Sequence, residues 1–125
     1  MQKRLRRYVL STLLVMVLLL GAAFVVMTSE TVVAEQDGDY TYTVAGSPLV
    51  ATITDYTGAD SIITIPSTLG GYPAVVIGQN AFQQCRFLTS VTIPNNVTTI
   101  GEYAFFSCTY LTSMTIGSGV TTIGD

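Results

Sequence analysis

The stretch Gly78–Ile100, GQNAFQQCRFLTSVTIPNNVTTI, lies over Gly101–Ile123, GEYAFFSCTYLTSMTIGSGVTTI, without a gap. Thirteen of the 23 positions are identical, among them Gly78/Gly101, Ala81/Ala104, Phe82/Phe105, Cys85/Cys108, Leu88/Leu111 and Ile100/Ile123. Average residue usage gives about one or two such identities by chance, so the period is real. A repeat this short marks a solenoid, because one unit cannot bury its own apolar face and does so only by stacking on its neighbours.

Within a unit, Leu88-x-x-Val91-x-Ile93 reads as a short strand with Val91 and Ile93 on one face and Thr92 on the other. Pro94 ends it, Val97 to Ile100 reads as a second extended piece, and Gly101 allows the next turn. Ala104, Phe105 and Cys108 fall at i, i+1 and i+4, which fits one helical turn with an apolar inner side. Stacked units place like residues in ladders about 4.8 Å apart. The expected fold class is a repeat solenoid, mainly β, with short helical turns.

Moving towards the amino terminus, Ile63-Thr64-Ile65-Pro66 mirrors Val91-Thr92-Ile93-Pro94. Its link onward to Ile77 is longer by five residues and contains Gly70-Gly71-Tyr72-Pro73, so the first rung is atypical. Tyr40 to Val44 and Val50 to Thr54 alternate as two strands joined by Ala45-Gly46-Ser47-Pro48, a β-hairpin placed to cap the stack. The expected divisions are residues 1–34, a capping hairpin over 35–60, and repeats over 61–125, the last incomplete.

The first segment has an export pattern. Lys3, Arg4, Arg6 and Arg7 precede an uncharged apolar run from Tyr8 to Met27, and small or aliphatic Val32-Val33-Ala34 follow. This is the layout of a secretory signal peptide cleaved after Ala34, or of an uncleaved N-terminal membrane anchor, since the run approaches the roughly 20 residues that span a bilayer. Either reading puts the rest of the chain outside the cytoplasm, secreted or on the cell surface.

From Glu35 onward there are seven acids and one base, Arg86, a net charge of minus six. Without a Lys or Arg patch such a surface repels phosphate backbones, which excludes nucleic acid as a partner. Charge is sparse in any case, and Thr, Ser, Gly and Asn supply most of the polarity, as in β-rich extracellular proteins.

The pattern Ile-Gly-x-x-Ala-Phe-x-x-Cys-x-x-Leu-Thr-Ser-Val-Thr-Ile-Pro, read from Ile77 to Pro94, resembles the BspA-like, or Treponema-type, leucine-rich repeat of bacterial and some protist surface proteins. The resemblance runs from about Ser61 to Asp125. It implies an extracellular solenoid associated with adhesion to host proteins, matrix or other cells, with no enzyme activity in the repeats. The chain departs from the pattern at Gly124-Asp125, where another Ala-Phe-x-x-Cys is expected. That reads as a fragment or as a form without the last turns, with the underside of the last rung (Leu111, Met114, Ile116, Val120, Ile123) uncovered and prone to self-association.

There is no His, which removes Ser-His-Asp and Cys-His activation and the commonest metal ligand. No cofactor, metal site or catalytic residue is expected. A carboxylate pair for glycoside hydrolysis exists only as Asp55 with Asp60 or Asp37 with Asp39, all in loop-like stretches where solvated acids are ordinary. Cys85 and Cys108 share a repeat position; they read as buried free thiols, a disulfide being disfavoured because side chains of successive rungs run parallel. Asn96-Val97-Thr98 fits a glycosylation sequon, and a corner Asn explains it equally. Phe82 and Phe105 are expected in the core, while Tyr103 and Tyr110 are expected to be exposed enough to meet a partner.

The candidate binding face is the polar side of the repeat strands: Thr64, Ser90, Thr92, Ser113 and Thr115. In solenoids this sheet is an extended and rigid contact surface, and here it suits an extracellular protein or glycan ligand. The alternatives are Thr and Ser chosen only for β-propensity, and a passive spacer in a larger surface protein.

Overall fold

The computed structural model describes residues 32–125, so the signal or anchor reading of residues 1–34 falls almost wholly outside the described range. Alternating apolar and polar residues give ten strands among the described residues: β1 (Ala34–Asp37), β2 (Tyr40–Ala45), β3 (Val50–Tyr56), β4 (Ile62–Thr64), β5 (Thr68–Leu69), β6 (Tyr72–Ile77), β7 (Ser90–Thr92), β8 (Thr99–Ile100), β9 (Ser113–Thr115) and β10 (Thr122–Ile123). They form two sheets. The larger runs β1-β2-β3-β6-β8-β10 with β5 attached to β6, and the smaller runs β4-β7-β9. β3, β6, β8 and β10 are parallel, as are β4, β7 and β9, which is the signature of a chain that winds forward one rung at a time.

The ladders follow the repeat. Ile77 pairs with Ile100 and Ile100 with Ile123 in the large sheet, while Val91 pairs with Met114 in the small one. Between the sheets lie Ile53, Ile65, Ile77, Phe82, Leu88, Val91, Ile93 and Val97, each at most 1% exposed. Burying one such side chain stabilises by about 1.5–3 kcal/mol. The rung interval leaves no room at the repeated glycines: a Cβ at Gly78 would stand 2.6 Å from the Ile53 carbonyl oxygen, and one at Gly101 the same distance from the Gln79 nitrogen.

The Ala-Phe segment differs from expectation, for no helix occurs among the described residues. It is a chain of i→i+3 turns: Gln83 N–H donates to the Asn80 carbonyl, Cys85 to Phe82, and Leu88 to Cys85. The alternate amides of Asn80, Phe82 and Gln84 donate instead to Glu102, Ala104 and Phe106 in the next rung. A helix would keep those bonds within itself. Asn80, Gln84, Tyr103 and Ser107 take positive φ, which breaks the helical run, and the amides of Asn80, Gln84 and Tyr103 donate to Glu102, Phe106 and Asp125.

The expected hairpin is present as β2 and β3, and β1 adds a third antiparallel strand outside it. β3 also pairs in parallel with β6, so it is both the hairpin's second strand and the first strand of the stack. Tyr40 and Tyr56 lie 6.3 and 5.3 Å from Phe82, ring centre to ring centre, and Phe105 stacks on its other side at 5.0 Å and 12°. The tyrosines thus occupy the place that an aromatic of a preceding rung would fill.

The long first link is a small β5–β6 hairpin turning at Gly70 and Gly71, both at positive φ. Asn96 ties it down, its side-chain amide donating to the Ser67 and Ala74 carbonyls at 2.8 Å each. Asn95 is exposed and makes one peripheral contact, accepting from Ser118 N–H at 3.0 Å. Asn96→Ala is therefore expected to cost about 1–3 kcal/mol by removing two bonds, one of them to the part-buried Ala74 carbonyl, and Asn95→Ala about 0.5 kcal/mol or less. Urea unfolding of both variants checks the ranking; equal losses would contradict it.

Candidate functional site

In the small sheet every second side chain faces outward. Register puts Ile62, Ser90 and Ser113 in one column and Thr64, Thr92 and Thr115 in a second, with Ile63, Val91 and Met114 turned inward between them. All five residues singled out from the sequence thus share one face. Ile62, 70% exposed, heads the serine column and was overlooked in the sequence. Its signal was available: it lies two residues before Thr64, in phase with the polar face.

Hydroxyls in this chain do two different jobs. Thr89 and Thr112 donate from Oγ1 to the Ser61 and Thr89 carbonyls at 2.9 and 3.2 Å, and Thr98 and Thr121 donate to Val75 and Thr98 at 3.4 and 3.3 Å. Those four bind one rung to the one before. Among the described residues, the hydroxyls of Thr64, Ser90, Thr92, Ser113 and Thr115 make no hydrogen bond within the protein. They form an uncharged array held at rung spacing with its hydrogen-bonding capacity unused. The strands beneath carry no ionisable residue, so the field over the face is weak.

Tyr103 and Tyr110 are exposed, as expected, and so are Phe87 and Phe106; Tyr103 meets Phe106 edge-on at 5.9 Å. Phe82 is fully buried and Phe105 half-buried. The carboxylates are dispersed. Asp37 accepts the Gly70 amide at 3.1 Å, Glu35 accepts the Tyr42 hydroxyl at 2.9 Å, and Asp55 and Asp60 lie exposed at the end of β3 and in the loop after it. Asp37 thereby ties the hairpin to the first rung, while Glu35 holds β1 to β2 within the hairpin. Asn96, half-buried with both amide hydrogens engaged, serves as a corner residue, and attaching a glycan there would break its two bonds.

Cys85 and Cys108 are both free and half-buried, and Cys108 Sγ donates to the Phe82 carbonyl at 3.0 Å. Burial, with the neighbouring Cys108 and Asp55 adding to it, pushes the Cys85 thiol up to about 11. Burial raises Cys108 as well. Thiolate, the reactive form, is therefore scarce at neutral pH.

This geometry defines a class: a parallel-β repeat solenoid with a flat hydroxyl face. Residues 75–125 match the family described as BspA type leucine rich repeat region (6 copies). A leucine-rich repeat protein from Bacteroides capillosus is similar at 31% identity and TM-score 0.65, over 72% of this chain and 70% of that one. A leucine rich cell surface protein from Faecalibacterium prausnitzii shares 42% identity at TM-score 0.65, over 74% of this chain and 26% of its own. The Treponema pallidum leucine rich repeat protein shares 29% identity at TM-score 0.67, over 71% of this chain and 42% of its own. The chain thus spans under half the length of two of these three structures. Comparison with curated proteins finds no match. The chain belongs to the BspA-type leucine-rich repeat family.

The raised thiol gives a pH signature. A folded pKa above the unfolded one contributes stability that is complete below the unfolded value and is lost as pH rises to the folded one. For Cys85 that window runs from 9.0 to about 11. Burial also raises Tyr40, to about 12, so the decline continues above the thiol range. Melting temperature is expected to fall steadily above pH 9, and Cys85→Ala to flatten the first part of the fall. Thermal melts across alkaline pH decide; an unchanged slope in the variant would refute the assignment.

Proposed function

We propose that the chain is an exported, cell-surface binding module that engages an extracellular protein or glycan through the outer face of its small sheet, without catalysis. The observation that carries this reading is the set of five hydroxyls in registered columns with no partner in the protein, beside four chemically alike hydroxyls that are all engaged. The basic and apolar residues 1–34 support export, and the likeness to a protein described as a cell surface protein supports the location.

The test uses the full chain immobilised against a panel of purified matrix proteins and neutral polysaccharides. Binding is expected to change little between low and high salt, because the face is uncharged. Ser113→Arg with Thr115→Arg is expected to abolish it while shifting stability by no more than about 0.5 kcal/mol per site, both positions being exposed. Binding untouched by the double variant would move function off this face and favour the spacer reading. Asp55→Asn and Asp60→Asn test the hydrolase reading, for which no activity is expected.

A second proposed contact is self-association through the last rung. Ile116 and Ile123 are 46% and 61% exposed, and with Ile100, Ala104, Phe105 and Phe106 the latter borders an open depression of about 290 Å³. Light scattering on the full chain is expected to show mass rising with concentration, and Ile116→Lys with Ile123→Lys to lower it. A mass independent of concentration in both proteins would end that proposal.

A further inference from the structure

The two sheets end differently on the amino-terminal side of the stack. The large sheet continues past β3 by two antiparallel strands, β2 and β1, whereas the small sheet stops at β4. Among the described residues β4 pairs with β7 and with no other strand. The direction of its remaining groups follows from its bonds to β7. Ser90 N–H donates to the Ser61 carbonyl at 3.1 Å, and Ile65 N–H donates to the Thr92 carbonyl at 2.9 Å. In a parallel ladder this phase commits residues 61, 63 and 65 to β7 and directs the N–H and C=O of Ile62 and Thr64 away from it.

An open edge is a template for another strand, and proteins usually guard one with charge, proline, a bulge or a cover. The outer strand of the large sheet is guarded: β1 is four residues long and carries Glu35 and Asp37. β4 is short as well, at three residues, but it lacks the other devices. It is uncharged, its register to β7 is regular through all three pairs, and Pro66 lies beyond its end. Ile62, a β-branched apolar residue, stands exposed on it.

We propose that β4 is a docking edge for an extended, uncharged segment of a partner polypeptide, which adds to the small sheet as its next strand. The occupant is a polypeptide because the free groups alternate N–H and C=O at strand spacing, and a second backbone presents the matching alternation. An apolar residue of that segment set opposite Ile63 continues the ladder of Ile63, Val91 and Met114. The large sheet overhangs β4 by three strands, β3, β2 and β1, about 14 Å at strand spacing, so a slim added strand lies within the step. The flat end of a second copy meets β1 and β2 first. β4 also carries Thr64 of the hydroxyl face, but strand addition uses the backbone groups of its edge and not the hydroxyls, so the methylated peptides test it independently of that face.

The probe is a blocked, labelled peptide with the sequence of residues 88–94, LTSVTIP, which contains the strand that already pairs with β4 from its other side. Titrated with the full chain, it is expected to bind saturably and to slow hydrogen exchange at the Ile62 and Thr64 amides. Thr64→Pro removes an N–H that points away from β7, a change that edge strands tolerate. It is expected to leave the melting temperature unchanged and weaken the peptide about tenfold or more, through one lost backbone bond and one unpaired group. Ile62→Lys guards the same edge by charge with the backbone intact, and keeps the test decisive if the proline variant fails to fold. N-methylation of alternate peptide residues is expected to abolish binding in one phase and spare it in the other. Equal binding to wild type and both variants, equal binding of both methylated peptides, or protection appearing at Met114 and Ile116 instead would each overturn the proposal. Absence of peptide binding would overturn it too, while leaving the hydroxyl-face reading to its own test.

Discussion

The structure depends on one constraint: no rung of 23 residues can bury its own apolar face, so every rung must lie in register on the next. Backbone bonds enforce that register at each corner. Gly78, Gly101 and Gly124 donate to Ile53, Ile77 and Ile100 in turn, and Thr89 and Thr112 donate to Ser61 and Thr89. Because each bond crosses to the equivalent place one rung away, a slip at one corner would break all of them together. Ladders of like side chains are the result, and the core is their sum.

The same constraint explains where the chain spends conformational freedom. Corners must turn sharply, as positive φ at Asn80, Gln84, Tyr103 and Ser107 allows, and at the first three the amide is offered to the neighbouring rung. None of the four is glycine. Asn accepts that conformation readily, whereas an aromatic such as Tyr103 takes it at a cost set by its Cβ. The stack tolerates this because the turns on either side are fixed by bonds to adjacent rungs.

At the amino-terminal side the problem is to end a ladder. The large sheet is closed by an antiparallel hairpin whose Tyr40 and Tyr56 cover Phe82, and whose carboxylates Glu35 and Asp37 hold Tyr42 and Gly70. The small sheet has no counterpart to this closure among the described residues. One side of the first rung is therefore sealed by packing and charge, while on the other β4 pairs with β7 alone among the described residues.

The period, the strand at Val91, the two-strand hairpin and the polar face were all legible in the sequence, because identity at fixed spacing and strict alternation are one-dimensional signals. Thr64, Ser90, Thr92, Ser113 and Thr115 could be placed on one face from alternation alone. What alternation cannot say is which hydroxyls are already engaged. Thr89 and Thr92 look alike in the chain, yet Thr89 binds Ser61 across a rung and Thr92 does not, a difference set by the corner geometry between strands. The helical turn read at Ala104, Phe105 and Cys108 was a period shared by two structures; bonds to the next rung, visible only in three dimensions, selected turns over helix. The sequence by itself determined that this chain stacks, with what period and with which residues inside. Only the tertiary structure decided that β3 serves hairpin and stack at once and that β4 pairs with β7 alone among the described residues, because edge pairing joins residues far apart in the chain and leaves no periodic trace in it.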